Sequence, residues 1–436
     1  MPKIKSYSAH TIIVFLAIVF PMIVSMVKED NKPNLVGLLM NYEKPKFTKE
    51  GWFSGNLQQD IDEYNNDHWA FKEITVRLNN QVYYDFFNQI RVNGFVAGKE
   101  HYVFSEPYIF SAYGDDLLEE ETIVTKLKKA KVIQDTLKKK GIDLLLVYAP
   151  GKGALCKEFV EDKYVHPVKT TNYKMFADNS KKLGVNYLDL YEYFLQLKPK
   201  SPYPLFPRFG HHWSFYGECL AVDTIIKHIE KLHHCDLPAY GWDGIDVVDT
   251  ARQRDADILK SMNLVTNPPQ DMKLAYPKVY FENDSLKNTT RVLTISDSYW
   301  YGPVYMGIGR SCFAGGEFWY YNNKVIPSRS SEEKTETWQL DLKSEVESNN
   351  VIMLLYADGN LTNFGNSFIE DVYEMYTSPA TFNARKERQK NIQVYAKQIR
   401  EAPLLLKKST QKSKDLQISL DSAIRMDAMK MAGMIK

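Results

Sequence analysis

The sequence predicts an α/β protein with a mainly parallel sheet. Three apolar runs of strand length, Ile142–Pro150, Thr290–Ser296 and Asn350–Tyr356, lack the alternation of a half-exposed strand, so each is expected to be buried on both faces. Amphipathic helical patterns such as Tyr173–Leu183 and Phe215–Leu232 separate these runs, and such alternation is typical of a parallel sheet. The chain has 436 residues, which is enough for a large core.

The N-terminal region contains one long apolar segment. Thr11–Val27 has no charged side chain over 17 residues, and a helix needs roughly 17–25 apolar residues to cross a bilayer. Lys3 and Lys5 precede the segment, so the positive-inside rule puts the N-terminus in the cytoplasm and the rest of the chain outside. No small-residue cleavage site follows, which favours an uncleaved membrane anchor over a signal peptide. A buried core helix is the alternative.

The next segments lead into the predicted sheet. Asn31–Lys49 has no clear periodicity and reads as a linker, and Phe53–Phe87 has the apolar spacing of two helices. Asp67–Trp69 is interpreted as the corner between these helices. Asn93–Ser105 has the glycine turns of a short hairpin, and Leu117–Lys140 the pattern of an amphipathic helix.

The last part of the chain changes in composition. After Asn383 it is rich in Lys, Gln, Arg and Met, which predicts one or two exposed amphipathic helices broken near Pro403. This tail either packs on the domain or binds a partner or a membrane surface. The predicted divisions are an anchor at 1–30, a linker with helices and hairpin at 31–110, the α/β domain at 111–385, and the helical tail at 386–436.

The composition argues against several classes of function. A net charge of +1 gives no global basic excess for nucleic acid. Cys156, Cys219, Cys235 and Cys312 include no C-x-x-C pair, which disfavours zinc ribbons and redox motifs. The cluster His228–Asp236 lacks the spacing of metal ligands, so a solvated helix end is the favoured interpretation. We expect no metal and no organic cofactor.

Ser298 is the candidate nucleophile. It follows the predicted strand Thr290–Ser296 by two residues, and ligands of parallel sheets bind beyond the carboxyl ends of the strands. Backbone N–H groups at such a turn can stabilise an oxyanion. Asp297 and Tyr299 flank the serine as candidate supporting residues.

His212 is the candidate general base. A serine hydroxyl needs a base to remove its proton, and histidine is the usual base near neutral pH. His212 lies in "RFGHHWSFYGE", where Trp213 can wedge the loop and Ser214 is a plausible N-cap of the following helix. The alternative is that His211 and His212 are polar loop residues beside a packing tryptophan.

In their order along the chain, these motifs resemble the AlgX/AlgJ-type SGNH hydrolase-like family of periplasmic polysaccharide O-acetyltransferases and their relatives. "FFNQIRVNGFVAGKEHYVF" resembles the family's glycine-lysine hairpin, and "LLLVYAPGKGALC" its strand ending in Pro and Lys. "HWSFYG" resembles its HWS-x-x-G stretch, and "LTISDSYW" its GDS block. The resemblance covers Phe53–Tyr376. It implies a three-layer SGNH-like domain with Ser298 as nucleophile and His212 as base.

Two positions depart from the family pattern. The aspartate of D-x-H-W, which completes the triad, is replaced by Gly210, and the glycine before "DS" by Ser296. Either a backbone carbonyl or a carboxylate from elsewhere, with Asp358 as the candidate, would then orient His212. The sequence therefore predicts a site with an incomplete triad.

Two further polar residues follow predicted strands. Lys152 is a candidate contact to an acyl or sugar oxygen, and a solvated lysine is equally expected. Asn360 is a candidate hydrogen-bond donor near the site, and turn formation is its alternative role.

Two classes of function remain. The first is transfer of an acyl group, most plausibly acetyl, to hydroxyls of a cell-envelope or exported polysaccharide through an acyl-serine, with a carbohydrate esterase as the near alternative. The second is a non-catalytic protein that binds polysaccharide or docks an acyltransferase. By resemblance, the partners are a polysaccharide acceptor and a membrane-bound O-acyltransferase, and the main domain is periplasmic.

Overall fold

The computed structural model describes residues 7–27, 34–37, 42–282, 287, 289–331, 335–416 and 418–434. The predicted linker Asn31–Lys49 lies partly outside the described residues. Helices in the described part are α1 Tyr7–Val27, α2 Lys49–Ser54, α3 Asn56–His68, α4 Lys72–Phe87, α5 Glu106–Tyr113, α6 Glu120–Lys138, α7 Lys152–Leu155, α8 Asn172–Leu183, α9 Leu190–Leu197, α10 Phe215–His233, α11 Asp257–Ser261, α12 Tyr301–Met306, α13 Ile308–Ser311, α14 Leu342–Glu347, α15 Phe368–Thr377, α16 Pro379–Glu401, α17 Pro403–Leu416 and α18 Leu420–Met431.

A central sheet organises the fold. Strands in the described part are β1 Phe95–Ala97, β2 Val103–Ser105, β3 Asp143–Ala149, β4 Tyr187–Asp189, β5 Tyr240–Val248, β6 Leu274–Phe281, β7 Val292–Ser296, β8 Phe318–Tyr320, β9 Lys324–Ile326 and β10 Val351–Ala357. Six of them form the sheet β4-β3-β10-β7-β8-β9. All neighbours are parallel except β9, which pairs antiparallel with β8. The predicted mainly parallel sheet is confirmed.

The sheet is covered on both faces. Along β3, Leu145 and Val147 belong to one hydrophobic cluster, which includes side chains of α5, α9 and α10. Leu144 and Leu146 belong to a second cluster, with side chains of α6, α8 and α15. Alternate residues of one strand therefore point into two separate cores, which is why β3 has no polar face. The predicted three-layer arrangement is confirmed.

The N-terminal apolar segment forms α1, but its predicted role as a membrane anchor is not supported. Within the described residues, no helix combines the length and apolar character needed to cross a membrane. The uncharged run is at the minimum spanning length, and Pro21 lies inside the helix. The end of α1 packs on the α3–α4 corner, where Phe20 contacts Phe71 and the Ser25 hydroxyl accepts a hydrogen bond from the Ala70 N–H.

The other predicted elements are largely confirmed. The two helices of Phe53–Phe87 are α3 and α4, and their corner lies at the predicted position. The hairpin forms as β1 and β2. The tail breaks at Ala402, between α16 and α17, near the predicted position, but it forms three helices where one or two were expected. The antiparallel pair β5–β6 and the edge strands β8 and β9 were not predicted.

A smaller hydrophobic cluster, here called the α4–α11 cluster, joins distant parts of the chain. It contains Tyr84 of α4, Val103 of the hairpin, and Ile258, Leu259 and other side chains of residues 256–264. The buried Asn80 Nδ2 donates to the Met262 carbonyl at 2.8 Å, which fixes α4 against this segment. The α4–α11 cluster thus places residues 256–264 beside the sheet's carboxyl edge.

Candidate active site

Ser298 lies at the carboxyl edge of the sheet. It follows β7 by two residues and begins a short 3₁₀ turn that runs into α12. The Asp297 side chain caps this turn by accepting from the Tyr299 N–H at 2.9 Å. Ser298 is partly exposed, whereas Asp297 and Tyr299 are fully buried. The strand and its cap therefore present one reactive hydroxyl at the surface of a rigid turn.

His212 faces this hydroxyl. Its Nε2 lies 2.8 Å from Ser298 Oγ, within hydrogen-bond distance. Ser214 caps α10, as predicted, by accepting from the Gly217 N–H at 3.0 Å. Trp213 is buried, packs edge-on against Tyr299 and donates through Nε1 to Glu218 at 3.2 Å. The helix cap and the tryptophan fix the loop that presents the imidazole.

The carboxylate behind His212 belongs to Asp257. Its Oδ2 lies 3.6 Å from His212 Nδ1, slightly longer than a hydrogen bond. The Nδ1 atom is buried and has no other partner among the described residues. The other oxygen, Oδ1, accepts from the N–H groups of His211 (3.1 Å) and Ile258 (2.8 Å), which orients the carboxylate. At 3.6 Å the carboxylate is close enough to act electrostatically on the Nδ1 side of the ring.

The environment keeps Asp257 ionised. Burial raises the pKa of its carboxyl, but the interactions with His212 and His211 outweigh burial and hold the pKa below its usual range. An ionised carboxylate beside Nδ1 favours the tautomer with a proton on Nδ1 and a free Nε2. That tautomer is the one that can accept the Ser298 proton.

Position 210 has no room for a side chain. A Cβ at position 210 would lie 2.9 Å from the Arg254 carbonyl oxygen and 3.0 Å from that of Asp255. It would also lie 2.6 Å from Pro207 Cγ. The segment that brings Asp257 to His212 therefore occupies the space that a side chain at position 210 would need.

Lys152 is buried and is not a solvated lysine. It is 2% exposed, and its Nζ donates to the carbonyls of Arg208 at 2.7 Å and Gly210 at 3.0 Å. Burial lowers the pKa of Lys152 to about 7. Lys152 therefore connects the end of β3 to the loop that precedes His212.

His211 points away from Ser298 and packs among aromatic rings. Its ring contacts Tyr108 at 4.7 Å and Phe95 at 5.6 Å, both edge-on. This burial lowers the pKa of His211 to about 3, so the ring is neutral at pH 7. His211 therefore contributes its backbone N–H to Asp257 and its ring to packing.

Asn360 supports Asp297. Its Nδ2 donates to Asp297 Oδ2 and to the Tyr108 hydroxyl, both at 2.8 Å. Asp297 Oδ2 also accepts from the Ala357 N–H at 2.9 Å. Both amide hydrogens of Asn360 are thus engaged, and its role in this structure is to hold the cap of the serine turn.

Asp358 and Ser296 are buried with unpartnered atoms. Asp358 Oδ1 accepts from the Gly359 N–H at 2.8 Å, while its Oδ2 has no partner among the described residues. Burial raises the pKa of Asp358 to about 7. The hydroxyl of Ser296 also lacks a described partner. The carboxylate in contact with His212 is Asp257, so Asp358 does not fill the role suggested for it.

The arrangement can activate a serine for acyl transfer. It combines a hydroxyl, an imidazole within hydrogen-bond distance, and an ionised carboxylate behind the imidazole, which is the order of a Ser-His-Asp triad. The Ser298 N–H has no acceptor among the described residues, so it is free to donate to an oxyanion. In the described part of the chain, no group of three or more His, Cys, Asp or Glu side chains could hold a metal ion.

Sequence reasoning missed Asp257. It lies 45 residues after His212 in "RQRDADILK", which has no feature that distinguishes it from an ordinary helix start. The one available signal was indirect, because a glycine at position 210 leaves space for another segment.

Comparisons with known proteins agree with the motifs. Residues 96–267 match the family described as SGNH hydrolase-like domain, acetyltransferase AlgX. The match includes His212 and Asp257 and ends before Ser298. A comparison with curated protein sequences finds no match.

Several solved structures are similar at low identity. The O-acetyltransferase domain of Pseudomonas putida AlgJ is 15% identical, covering 64% of this chain and 99% of that chain, with a TM-score of 0.42. Bacillus cereus PatB1 is 13% identical, covering 61% and 96%, with a TM-score of 0.39. Pseudomonas aeruginosa AlgX is 11% identical, covering 63% and 67%, with a TM-score of 0.40. The family match over residues 96–267 confirms the resemblance read from the motifs, because this part of the chain is similar to the SGNH hydrolase-like domain of acetyltransferase AlgX.

Proposed function

We propose that this protein transfers an acyl group, most plausibly acetyl, to hydroxyls of a cell-envelope or exported polysaccharide through an acyl-Ser298 intermediate. The observation that carries the proposal is the 2.8 Å contact between His212 Nε2 and Ser298 Oγ, with the Asp257 carboxylate at Nδ1. The AlgX-type family match supports acetyl as the transferred group, and polysaccharide as the acceptor follows from the family resemblance of the motifs.

The reaction has two halves. In the first, His212 Nε2 takes the Ser298 proton while Oγ attacks the acyl carbonyl, and His212 then returns the proton to the leaving group. In the second, His212 deprotonates a sugar hydroxyl, which attacks the acyl-serine. The bond to Ser298 Oγ then breaks, His212 returns the proton to Oγ, and the ester product is released. Asp257 stabilises the imidazolium in both halves. The Ser298 N–H stabilises the tetrahedral oxyanion.

An esterase would use the same residues with water as the acceptor. The two activities differ in whether a sugar hydroxyl or water reaches the acyl-serine. The acceptor therefore has to be varied in the test.

The proposal extends to location and partners. An extracytoplasmic site would give the enzyme access to an exported polysaccharide. Acetyl groups would then have to be supplied from across the membrane, and a membrane-bound O-acyltransferase is the partner that we propose.

The test is the intact mass of the whole chain after incubation with an activated acetyl ester. We expect one added acetyl group on the parent protein and none on Ser298→Ala. Ser296→Ala is the matched control, because it removes a buried hydroxyl two residues away and should leave acetylation unchanged. Neutral and acidic oligosaccharides added after acylation would distinguish transfer from hydrolysis by the mass of the product.

Two results would count against the proposal. Equal acetylation of Ser298→Ala would place the reactive group elsewhere. No adduct and no ester turnover in the parent protein would favour the alternative of a non-catalytic protein that binds polysaccharide or docks an acyltransferase.

A further inference from the structure

The helical tail differs in charge from the rest of the chain. From Pro379 to Lys436 there are 13 Lys and Arg against five Asp and Glu, a formal net charge of +8. The whole chain has 55 basic and 54 acidic residues, so residues 1–378 carry −7. A protein that is neutral overall is therefore divided into an acidic body and a basic tail.

The tail has a small core of its own. Ala396 and Ile399 of α16 pack against Ile424 and Ala428 of α18, with side chains of α17 beside them. This cluster contains no residue of the two sheet cores or of the α4–α11 cluster. The three helices α16–α18 thus pack on one another, and the start of α16 also packs on the main domain, where Phe382 belongs to the second sheet core and Arg385 pairs with Asp371 at 2.8 Å.

Acidic side chains of the tail are engaged in ion pairs within this unit. Asp421 pairs with Arg400 at 3.1 Å, and Asp427 pairs with Lys412 while accepting from the Ser409 hydroxyl at 2.6 Å. These pairs hold α18 against the other two helices.

The remaining basic residues point outward. Six exposed side chains form no ion pair within the described residues: Arg388, Lys390, Lys407, Lys408, Arg425 and Lys430. Their side chains are exposed, so their charge can attract an anionic ligand, although Lys430 also interacts electrostatically with Asp427.

Apolar side chains lie among these charges. Leu404 is 79% exposed and shares one face of α17 with Lys407 and Lys408, at spacings of three and four residues. On α18, Met426 is 39% exposed and lies four residues before Lys430. Exposed basic residues without apolar neighbours are typical of a solvated surface. An exposed leucine on the same helix face as lysines is typical of an interfacial helix.

We infer that the tail unit α16–α18 binds the anionic headgroups of a phospholipid bilayer, with Leu404 inserted between them. The basic side chains supply electrostatic attraction, and the lysine stems allow their ammonium groups to remain at headgroup level while Leu404 enters the acyl boundary. An acidic polymer would use the charges but has no need of the exposed leucine. This inference is independent of the proposed enzymatic activity.

The test is flotation of the whole chain with phosphatidylcholine vesicles, with and without phosphatidylglycerol, at low and high salt. Binding to the neutral vesicles measures the contribution of other apolar segments such as α1. We expect stronger binding to the anionic vesicles, lost at high salt. Each lysine near an anionic surface contributes about a fivefold change in partitioning, so Lys407→Gln/Lys408→Gln should weaken binding to anionic vesicles by about 30-fold.

Two further variants sharpen the test. Lys181→Gln/Lys182→Gln removes an adjacent, exposed lysine pair from α8 of the main domain and should leave partitioning unchanged. Leu404→Ser should weaken binding to anionic vesicles while all charges remain. Circular dichroism of each variant checks that the tail helices are intact.

Three results would overturn the inference. The first is equal binding to neutral and anionic vesicles, and the second is an equal loss from the two lysine-pair variants. The third is salt-sensitive self-association of the lipid-free chain that Lys407→Gln/Lys408→Gln abolishes without changing vesicle binding, which would assign the tail to the acidic body of a second copy.

Discussion

Replacing Gly210 by aspartate writes the family's D-x-H-W motif into this chain, and we expect it to damage the site. The new Cβ would lie 2.9 and 3.0 Å from the carbonyl oxygens of Arg254 and Asp255, closer than ordinary contacts of a Cβ atom. Both oxygens belong to backbone, so neither can rotate away. The segment itself would have to move, and it carries Asp257.

The expected cost follows from this crowding. Overpacking by a few atoms destabilises a core by about 1–3 kcal/mol. A carboxylate placed beside two carbonyl oxygens adds repulsion. Displacing the segment also lengthens the present 3.6 Å contact between Asp257 and His212. We therefore expect Gly210→Asp to lower both the free energy of unfolding and the rate of ester turnover.

Chemical denaturation of the whole chain and turnover of an activated acetyl ester measure the two effects. Gly244→Asp is the matched control, because a Cβ at position 244 meets only Lys278 Cδ at 3.7 Å. Equal stability of Gly210→Asp and Gly244→Asp would show that position 210 has room for a side chain. Restored turnover when Gly210→Asp is added to Asp257→Ala would show that position 210 can hold the third triad residue.

Three further predictions concern buried polar residues. Asp257→Asn keeps an acceptor for the His211 N–H but loses the negative charge. The kcat for ester turnover should therefore fall by roughly 10²–10⁴-fold, with little change in KM or melting temperature. An unchanged kcat would remove Asp257 from the mechanism. Lys152→Met leaves the carbonyls of Arg208 and Gly210 without their donor, which should lower the free energy of unfolding by about 1–3 kcal/mol. It should also lower kcat more than it changes KM. An unaltered kcat would show that the position of the His212 loop does not depend on Lys152. The folded pKa of Asp358, about 7, lies above its ordinary value of 3.8, so its contribution to stability is complete below pH 4 and is lost as the pH rises through 7. Unfolding free energies measured at pH 5 and pH 8 should therefore show roughly 3 kcal/mol less pH dependence in Asp358→Asn than in the parent, and equal slopes would contradict the assignment.

The sequence predicted the parts of the fold that depend on local patterns. The runs that became β3, β7 and β10 are apolar on both faces because each lies between two cores, so composition alone reveals them. The pair β5–β6 lies outside the central sheet, and its strands are polar and partly exposed. Such strands have no continuous apolar run, and their pairing is decided by tertiary contacts.

The candidate site was predictable only in part. Ser298 and His212 lie in short motifs that can be read locally, and the structure brings them together. Asp257 could not be found in this way because its role depends on where residues 256–264 pack. Lys152 was ambiguous for the same reason: the sequence places it after a strand but does not show that a loop covers it.

The α4–α11 cluster shows that helix α4 helps to position the segment that carries Asp257. The region that matches the family model begins at residue 96, after the end of α4 at Phe87. However, Asn80 of α4 holds the Met262 carbonyl, and Arg77 donates to the Leu264 carbonyl at 3.1 Å, just beyond the turn that delivers Asp257. A chain that begins at residue 96 would retain the central sheet, Ser298 and His212. It would lose the contacts from α4 that hold the segment next to Asp257. The region that matches the family model and the region that positions Asp257 therefore have different boundaries, and the second extends back at least to α4.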